Sequence, residues 1–595
     1  MKETITVGAS YYPEQWPKER WAVDFDLMRK AGVKVLRVAE FTWYKLEPEE
    51  GRYDFTWLDE FISEAHAAGI DIILGTPSDC PPKWMLHKHP EIVATDESNH
   101  IKGGRGFHCH NVPVYLDYIA KIVERLAEHY ASNPAVIGWQ IDNEMHITFC
   151  HCDTCNRLFR DWVKERYKTI ENLNEKWGAC FWSQAYSSWD EVKLPSSDQL
   201  HVPISQILDS YRFYSKVGVD YINRQTAIIR KHTGRQFITH NTLALYPWLN
   251  VYDLSRELDF ISWDSYPDVD SDNFETCMIH DLHRKAKDNF YWVMEQKNGY
   301  FNYTEYNLAI VPGMVRLWSY QDLARGANGV LYYRWRSGKF GREQNPNGIL
   351  RHDGSPRRVY DEIVRFSEEI GSFAEDLYQT KVRAEAAIIF SYDQLWAIES
   401  FNQYKDVDYY KIFKAYYKAF TALGITVDIV EPGADLSGYK MVAAPCMLMM
   451  TDEIASHLKE YTKQGGHLLL SVRSGIKDWN NNMAELAWPG LLSELSGVEV
   501  EEFEAYPSYG KNSVQYGGRE YEVRVWADIM HTTTAKALAC YQENFYRNKT
   551  AVAENAFGDG KAVYIGILGN DGLLKDIVRD SALSAGIQVS PLPEG

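Results

Sequence analysis

A chain of 595 residues exceeds what one hydrophobic core supports, so two or three domains are expected. Its 63 Lys and Arg against 82 Asp and Glu leave a formal charge of −19, which argues against nucleic acid or an anionic membrane as the main partner, since both call for basic surface. The balance suits a soluble protein that handles a neutral ligand.

From the N-terminus, MKETITVGASYYPEQW lacks an apolar core of signal-peptide length, and no later stretch reaches the roughly eighteen apolar residues of a membrane helix. Eight short β-branched and aromatic runs then read as strands: 5–12, 34–41, 71–77, 136–144, 236–242, 259–267, 289–296 and 329–335. Amphipathic stretches such as RWAVDFDLMRKAG and TWLDEFISEAHAAG lie between them, each closing on a glycine as helix C-termini often do. Strands that are apolar nearly throughout and alternate with helices predict a (β/α)8 barrel over residues 1–380. A doubly wound sheet is disfavoured because no Gly-x-Gly-x-x-Gly turn follows the first strand.

From residue 381 the alternation restarts. AAIIFS (386–391), TVDIV (426–430), YKMVAA (439–444) and HLLLSV (467–472) read as strands of a smaller α/β domain, flavodoxin- or amidotransferase-like, extending to residue 595. KAVYIGI (561–567) and a helix near 571–585 complete it.

In a barrel the chemistry sits at the C-terminal ends of the strands. Glu144 closes the fourth strand and Glu295 the seventh, facing each other across the mouth. A lone strand-end glutamate is more often solvated or salt-bridged, but two so placed match the needs of a retaining glycosidase: a nucleophile, and an acid that later acts as base. Asn143 is placed to hydrogen-bond a sugar 2-hydroxyl.

Cysteines 150, 152 and 155 follow the fourth strand in the spacing C-x-C-x-x-C, and Cys109 follows the third. Four thiolates would make a closed structural zinc site with no open catalytic position. His108, His110, His146 and His151 are alternative ligands. The cluster, and an odd total of nine cysteines, favour a cytoplasmic setting over a disulfide framework. Cys446, in VAAPCML, sits where a nucleophile elbow would lie, yet a buried structural cysteine is the stronger reading.

WQIDNE (139–144) and VMEQ (293–296) resemble the acid/base and nucleophile motifs of glycoside hydrolase family 42, the β-galactosidases of the Asn-Glu barrel clan. So do the stretches 29–55, PPKWMLHKHPEI (81–92), LNEKWGACFWSQAY (173–186) and YYRWR (332–336). The resemblance implies Glu144 as acid/base, Glu295 as nucleophile, and Arg37, Glu40, Arg105, Asn143, Tyr266 and Glu343 as residues that bind the sugar. It places Trp182 beside the leaving-group site. It also implies zinc on Cys109, Cys150, Cys152 and Cys155, and a homotrimer built through the second domain, with the family's small C-terminal β-domain absent or minimal.

Two departures stand out. Tyr303 occupies a position usually held by tryptophan, and Pro346 one often held by histidine. Proline offers no side-chain donor, so the sugar's identity is affected more than the mechanism. The expected activity is retaining, exo-acting hydrolysis of terminal β-D-galactosyl residues. Alternatives are the same chemistry on α-L-arabinopyranosides or β-D-fucosides, or a catalytically silent carbohydrate-binding protein.

Overall fold

The computed structural model describes residues 3–96, 98, 100–101, 105–196, 201–287, 290–402 and 404–590. The first set of strands is β1 (Thr6–Ser10), β2 (Val35–Val38), β3 (Asp71–Gly75), β4 (Val136–Gln140), β5 (Phe237–Thr239), β6 (Asn241–Leu243), β7 (Ile261–Ser265), β8 (Tyr291–Lys297) and β9 (Ala327–Tyr333). They are hydrogen-bonded in the order β5-β4-β3-β2-β1-β9-β8-β7-β6. β5 and β6 are two halves of the fifth strand read from the sequence, separated at His240. Before the break the strand pairs in parallel with β4; after it, with β7. His240 links the two sides, its ring Nδ1 lying 2.7 Å from the Ile141 carbonyl while its own carbonyl accepts from the Ser262 amide. Residue 289, which opens the run read as the seventh strand, lies outside the described residues.

The two helices singled out in the sequence form over Trp21–Lys30 and Thr56–Ala67. Gly32 and Gly69 follow them with φ of 73° and 78°, a left-handed turn that an L side chain rarely adopts. Inward-facing residues of the barrel strands, Val35, Ile73, Phe237, Trp292, Met294 and Leu331, pack into one apolar cluster with Phe260. Two glycines make room for its rings. A Cβ on Gly138 would stand 2.4 Å from the Phe237 ring, and one on Gly329 2.4 Å from Trp292.

Met1–Asn156 and Tyr214–Val382 form one compact unit; Arg157–Phe213 and Arg383–Gly595 form the second. The segment Arg157–Phe213 belongs with the second unit through Arg212, which bonds Asp393 (2.6 Å) and the Trp479 carbonyl (3.0 Å). Buried Asp209 secures the segment internally, accepting from Tyr167 Oη at 2.6 Å and Trp177 Nε1 at 2.9 Å.

The second unit contains the parallel strands expected of it, in the order Val427–Val430, Ala386–Ile389, Met441–Ala444, His467–Ser471 and Gly560–Ile565. An antiparallel extension through Thr550–Phe557, Lys536–Tyr541, Asn512–Tyr516 and Arg519–Val523 continues the sheet. The sequence reading named no strand between residues 473 and 560. The closing helix runs over Asp571–Ser584, and residues 591–595 lie outside the described residues. Among the described residues no helix is long and apolar enough to cross a membrane.

Gly138→Ala should destabilise the protein by about 1–3 kcal/mol through overpacking against Phe237. Urea denaturation of the variant beside the wild type measures this, and an unchanged midpoint would show that the ring has room to move.

Candidate active site

The fourth strand ends in a backbone turn that no regular element would adopt. Asp142 and Glu144 have φ of 56° and 46°, a left-handed conformation costly for residues with a Cβ. Hydrogen bonds hold it from several sides. Thr76 Oγ1 accepts from the Asp142 amide at 2.8 Å, and Asp142 Oδ2 accepts from Ser78 and Tyr221 hydroxyls. Asn241 Oδ1, on β6, accepts from the Glu144 amide at 3.2 Å, and Tyr246 donates to the Glu144 carbonyl at 2.6 Å. Asn143 is fixed by its Oδ1, which accepts from Arg37, Gln140 and Asn241. Its Nδ2 has no protein partner among the described residues and belongs to the cavity wall, where it is available to a hydroxyl.

β8 brings Glu295 to the same place. Carboxylate oxygens of Glu144, Glu295 and a third residue, Asp264 on β7, all lie within 4.8 Å of one another. Retaining glycosidases hold their two carboxyl groups about 5–5.5 Å apart, whereas inverting enzymes separate them by about 6.5–9.5 Å to admit a water. The spacing here is the retaining one. Glu295 accepts from the Arg37 guanidinium on Oε1 and from the Tyr266 hydroxyl on Oε2. Glu144 is the more accessible, with 18% of its side chain exposed against 4% for Glu295, and its Oε2 lies 3.4 Å from Arg105. Arg105 is in turn held by buried Asp79 and packs over the Phe41 ring at 4.7 Å.

These carboxylates open into a cavity of about 670 Å³. Asn143, Glu144, Tyr266, Glu295, Tyr303, Arg105 and Glu343 all line it. Glu343 accepts from Tyr333, and from Tyr303 at 3.3 Å, so the tyrosine at that position orients the acid. Arg37 and Glu40 stand elsewhere. Both are fully buried behind the wall, so they support the site rather than face a sugar. Arg37 Nε lies 3.0 Å from Glu40 Oε1, a charge contact without an aligned hydrogen bond. Trp182 belongs to the second unit, where it is exposed and stacks on Phe181. Phe41, Asp79, Asn347 and Asp264 went unnoticed in the sequence. Phe41 and Asp79 follow strand ends, a usable signal; Asp264 lies inside a strand and gave none.

Burial pushes the Glu295 carboxyl up to about 7, with the Glu144 charge adding to the rise and Arg37 and Tyr266 opposing it. Asp264 is raised well above the carboxylate range, first by burial and then by the two glutamates. Three carboxyl groups this close cannot all ionise, so the site holds protons at neutral pH. Arg37 and Tyr266 work against the rise at Glu295 and favour its charged form.

The four cysteines converge. Cys109, Cys150, Cys152 and Cys155 Sγ atoms all lie within 4.8 Å of one another, with Cys109 at 3.4 Å from Cys155 and 3.8 Å from Cys152. Sulfurs about 2.3 Å from a tetrahedral zinc stand about 3.8 Å apart, so the donor set fits that ion. His108 meets the Tyr115 ring edge-on and contacts the Tyr221 hydroxyl, and it is not part of this group. Cys446 is fully buried at φ 48°, its amide bonded to Ser471, and burial pushes its thiol up to about 12. That excludes a ready nucleophile there.

A parallel barrel whose fourth and seventh strands end in carboxylates at this separation defines a retaining glycoside hydrolase. Residues 10–414 match the β-galactosidase family, glycoside hydrolase family 42, and residues 384–588 match the β-galactosidase trimerisation domain. The β-galactosidase BgaA of Clostridium cellulovorans is 37% identical over 95% of this chain and 87% of its own length. The solved β-galactosidase of the haloarchaeon Halorubrum lacusprofundi superposes with a TM-score of 0.96 at 36% identity, over 99% of this chain and 91% of that one. That of Rahnella sp. R3 gives 0.96 at 31% identity, over 100% and 91%. The chain belongs to glycoside hydrolase family 42.

Arg37→Met removes the cation that favours the charged form of Glu295. The acid limb of kcat/KM should then move to higher pH by about one to two units, since an adjacent arginine lowers a carboxyl pKa by about that much. A pH–rate profile in which the limb stays in place would show that Tyr266 alone sustains the charge.

Proposed function

We propose that this enzyme hydrolyses terminal β-D-galactosyl residues by double displacement, with Glu295 as nucleophile and Glu144 as acid/base. The carboxylate spacing carries this reading. Glu295 Oε attacks the anomeric carbon while Glu144 gives its proton to the departing oxygen. Glu144 then takes a proton from water, whose oxygen displaces Glu295 and releases the sugar with its configuration retained. The more exposed position of Glu144 suits a group that must meet both aglycone and water. Asn143 Nδ2 faces the sugar from beside Glu144. Tyr303 and Glu343 hold the opposite rim, and the lack of a histidine at position 346 leaves room for α-L-arabinopyranosides or β-D-fucosides, which differ from galactose only around C5 and C6. Both glutamates being in place argues against a silent binding protein.

We further propose that the four-cysteine cluster holds a structural zinc, which would tie the loops after β3 and β4 and take no part in catalysis. Reduced thiolates of this kind suit the cytoplasm. The match to the trimerisation domain supports a homotrimer, and light scattering after size exclusion would expose a monomer.

Glu295→Ala with azide should yield an α-galactosyl azide, and Glu144→Ala a β-galactosyl azide from an activated aryl galactoside. Product anomers read by NMR decide the assignment, and exchanged anomers would reverse the two roles. A parallel panel of aryl galactosides, arabinopyranosides and fucosides ranks the sugars. For the metal, mass spectrometry of purified protein should find one zinc per chain, with Cys152→Ser losing it and melting at lower temperature. Full thermal stability in a metal-free wild type would remove the staple.

A further inference from the structure

Asp264 is a carboxyl group that the double displacement does not use. It sits on β7 at the level of Glu295 on β8, the two being paired residues of neighbouring strands. Its neighbour Trp263 packs outward on His280 and His283, so Asp264 points to the barrel interior, where it is 1% exposed. Oδ2 accepts from Asn241 Nδ2 at 2.6 Å. Oδ1 is buried with no donor in reach, although its carboxyl lies within 4.8 Å of both Glu144 and Glu295. No cation forms an ion pair with Asp264 among the described residues: Arg37 is committed to Glu295 and Glu40, and Arg105 to Asp79 and Glu144.

A carboxylate in that position would be buried, half unsatisfied, and pressed against two more carboxylates. A carboxylic acid in the same position is satisfied on both oxygens, because its O–H can donate to a glutamate while Asn241 donates to the other oxygen. Of the two glutamates, Glu295 already receives Arg37 and Tyr266, whereas Glu144 has only the long contact from Arg105. Hydrogen bonding between Asp264 and Glu144 contributes to the upward shift of Asp264.

We propose that Asp264 is a positioning residue, held as a neutral acid throughout the cycle, whose O–H donates to Glu144 and strengthens it as a general acid. The donated bond stabilises the Glu144 carboxylate formed when the aglycone takes its proton. Asp264 keeps its own proton and makes no bond to the sugar. The inference rests on Glu144 being the acid, as proposed above.

Asn and a neutral Asp are near-isosteres here: the Asn carbonyl can accept from Asn241 and its amide can donate to Glu144. Asp264→Asn should therefore keep kcat/KM within about threefold of wild type and leave the pH profile in place. Asp264→Leu, which cannot donate, should lose about 100-fold on phenyl galactoside yet less than about tenfold on 2,4-dinitrophenyl galactoside, whose departure needs little acid assistance, in line with the usual contribution of general acid catalysis. The groups facing Asp264 are Arg37, Glu144, Tyr246, Tyr266 and Glu295, and all remain in both variants. A large loss in Asp264→Asn, or a shift of its pH limbs, would mean that a charged Asp264 is required, and equal losses on both leaving groups in Asp264→Leu would reduce it to packing; either overturns the proposal. The azide products of the Glu144 and Glu295 variants test the underlying assignment separately.

Thermal melting supplies a measurement independent of turnover. A native carboxyl with raised pKa costs stability increasingly as pH climbs above its unfolded value near 4 towards its folded one. Asp264→Asn removes that cost, so its Tm should gain on wild type between pH 5 and 8; a constant or shrinking difference would show that Asp264 is ionised in the native state.

Discussion

The architecture of the barrel mouth depends on one buried cation. Arg37 has no exposed surface, and its guanidinium reaches Glu295, Glu40, Asn143, Gln140 and the Tyr12 hydroxyl. These partners come from β2, the ends of β4 and β8, and the loop after β1, so a single side chain ties a large part of the ring together. Taking a charge out of water is expensive unless it is paired and hydrogen-bonded. Here the pairing is with Glu295, so the interaction that stabilises the fold also favours the charged form of that carboxyl. Removing the arginine would leave Glu295 as an uncompensated buried carboxylate, which would take up a proton instead.

The same economy governs the backbone. Left-handed residues at Asp142 and Glu144 flank Asn143, and the strain is tolerated because Thr76, Ser78, Tyr221, Asn241 and Tyr246 over-determine the turn. The supporting groups come from β3, β6 and the long helix Ile204–His232. The sulfur cluster adds a second constraint to the same neighbourhood, since Cys150 follows Glu144 by six residues and its carbonyl accepts from Tyr214 at 2.9 Å. A group proposed to give its proton to a departing oxygen and later take one from water benefits from a rigid mount.

Much of this was legible in the sequence because the barrel repeats one pattern. Strand ends are where the nearly continuous apolar run stops, and Glu144 and Glu295 stand there. Cysteines spaced C-x-C-x-x-C are rare enough to identify themselves. What the pattern hid is equally physical. Asp264 occupies an inward position of β7, where a polar residue reads as noise inside an apolar run, and only the convergence of three strands gives it meaning. Arg37 and Glu40, which the resemblance assigns to the sugar, are fully buried and do not line the cavity. The break at His240 was invisible because both halves of the strand carry the same residue types, and the segment Arg157–Phe213 joins the second unit through side-chain bonds that no local periodicity announces.

Pro346 meets the loop that carries Tyr303 through its backbone. Tyr300 donates its amide to the Pro346 carbonyl at 3.2 Å, and the bare Gly299 lies so close that a Cβ there would stand 2.5 Å from the same oxygen. Pro346 thus contributes backbone rather than a side-chain donor, clasping the loop after β8 to the loop after β9. That clasp brings Tyr303 to Glu343, where its hydroxyl takes one carboxylate oxygen while Tyr333 takes the other. The phenol of Tyr303 thus helps hold Glu343 in position, while Pro346 braces the preceding loop through its backbone carbonyl.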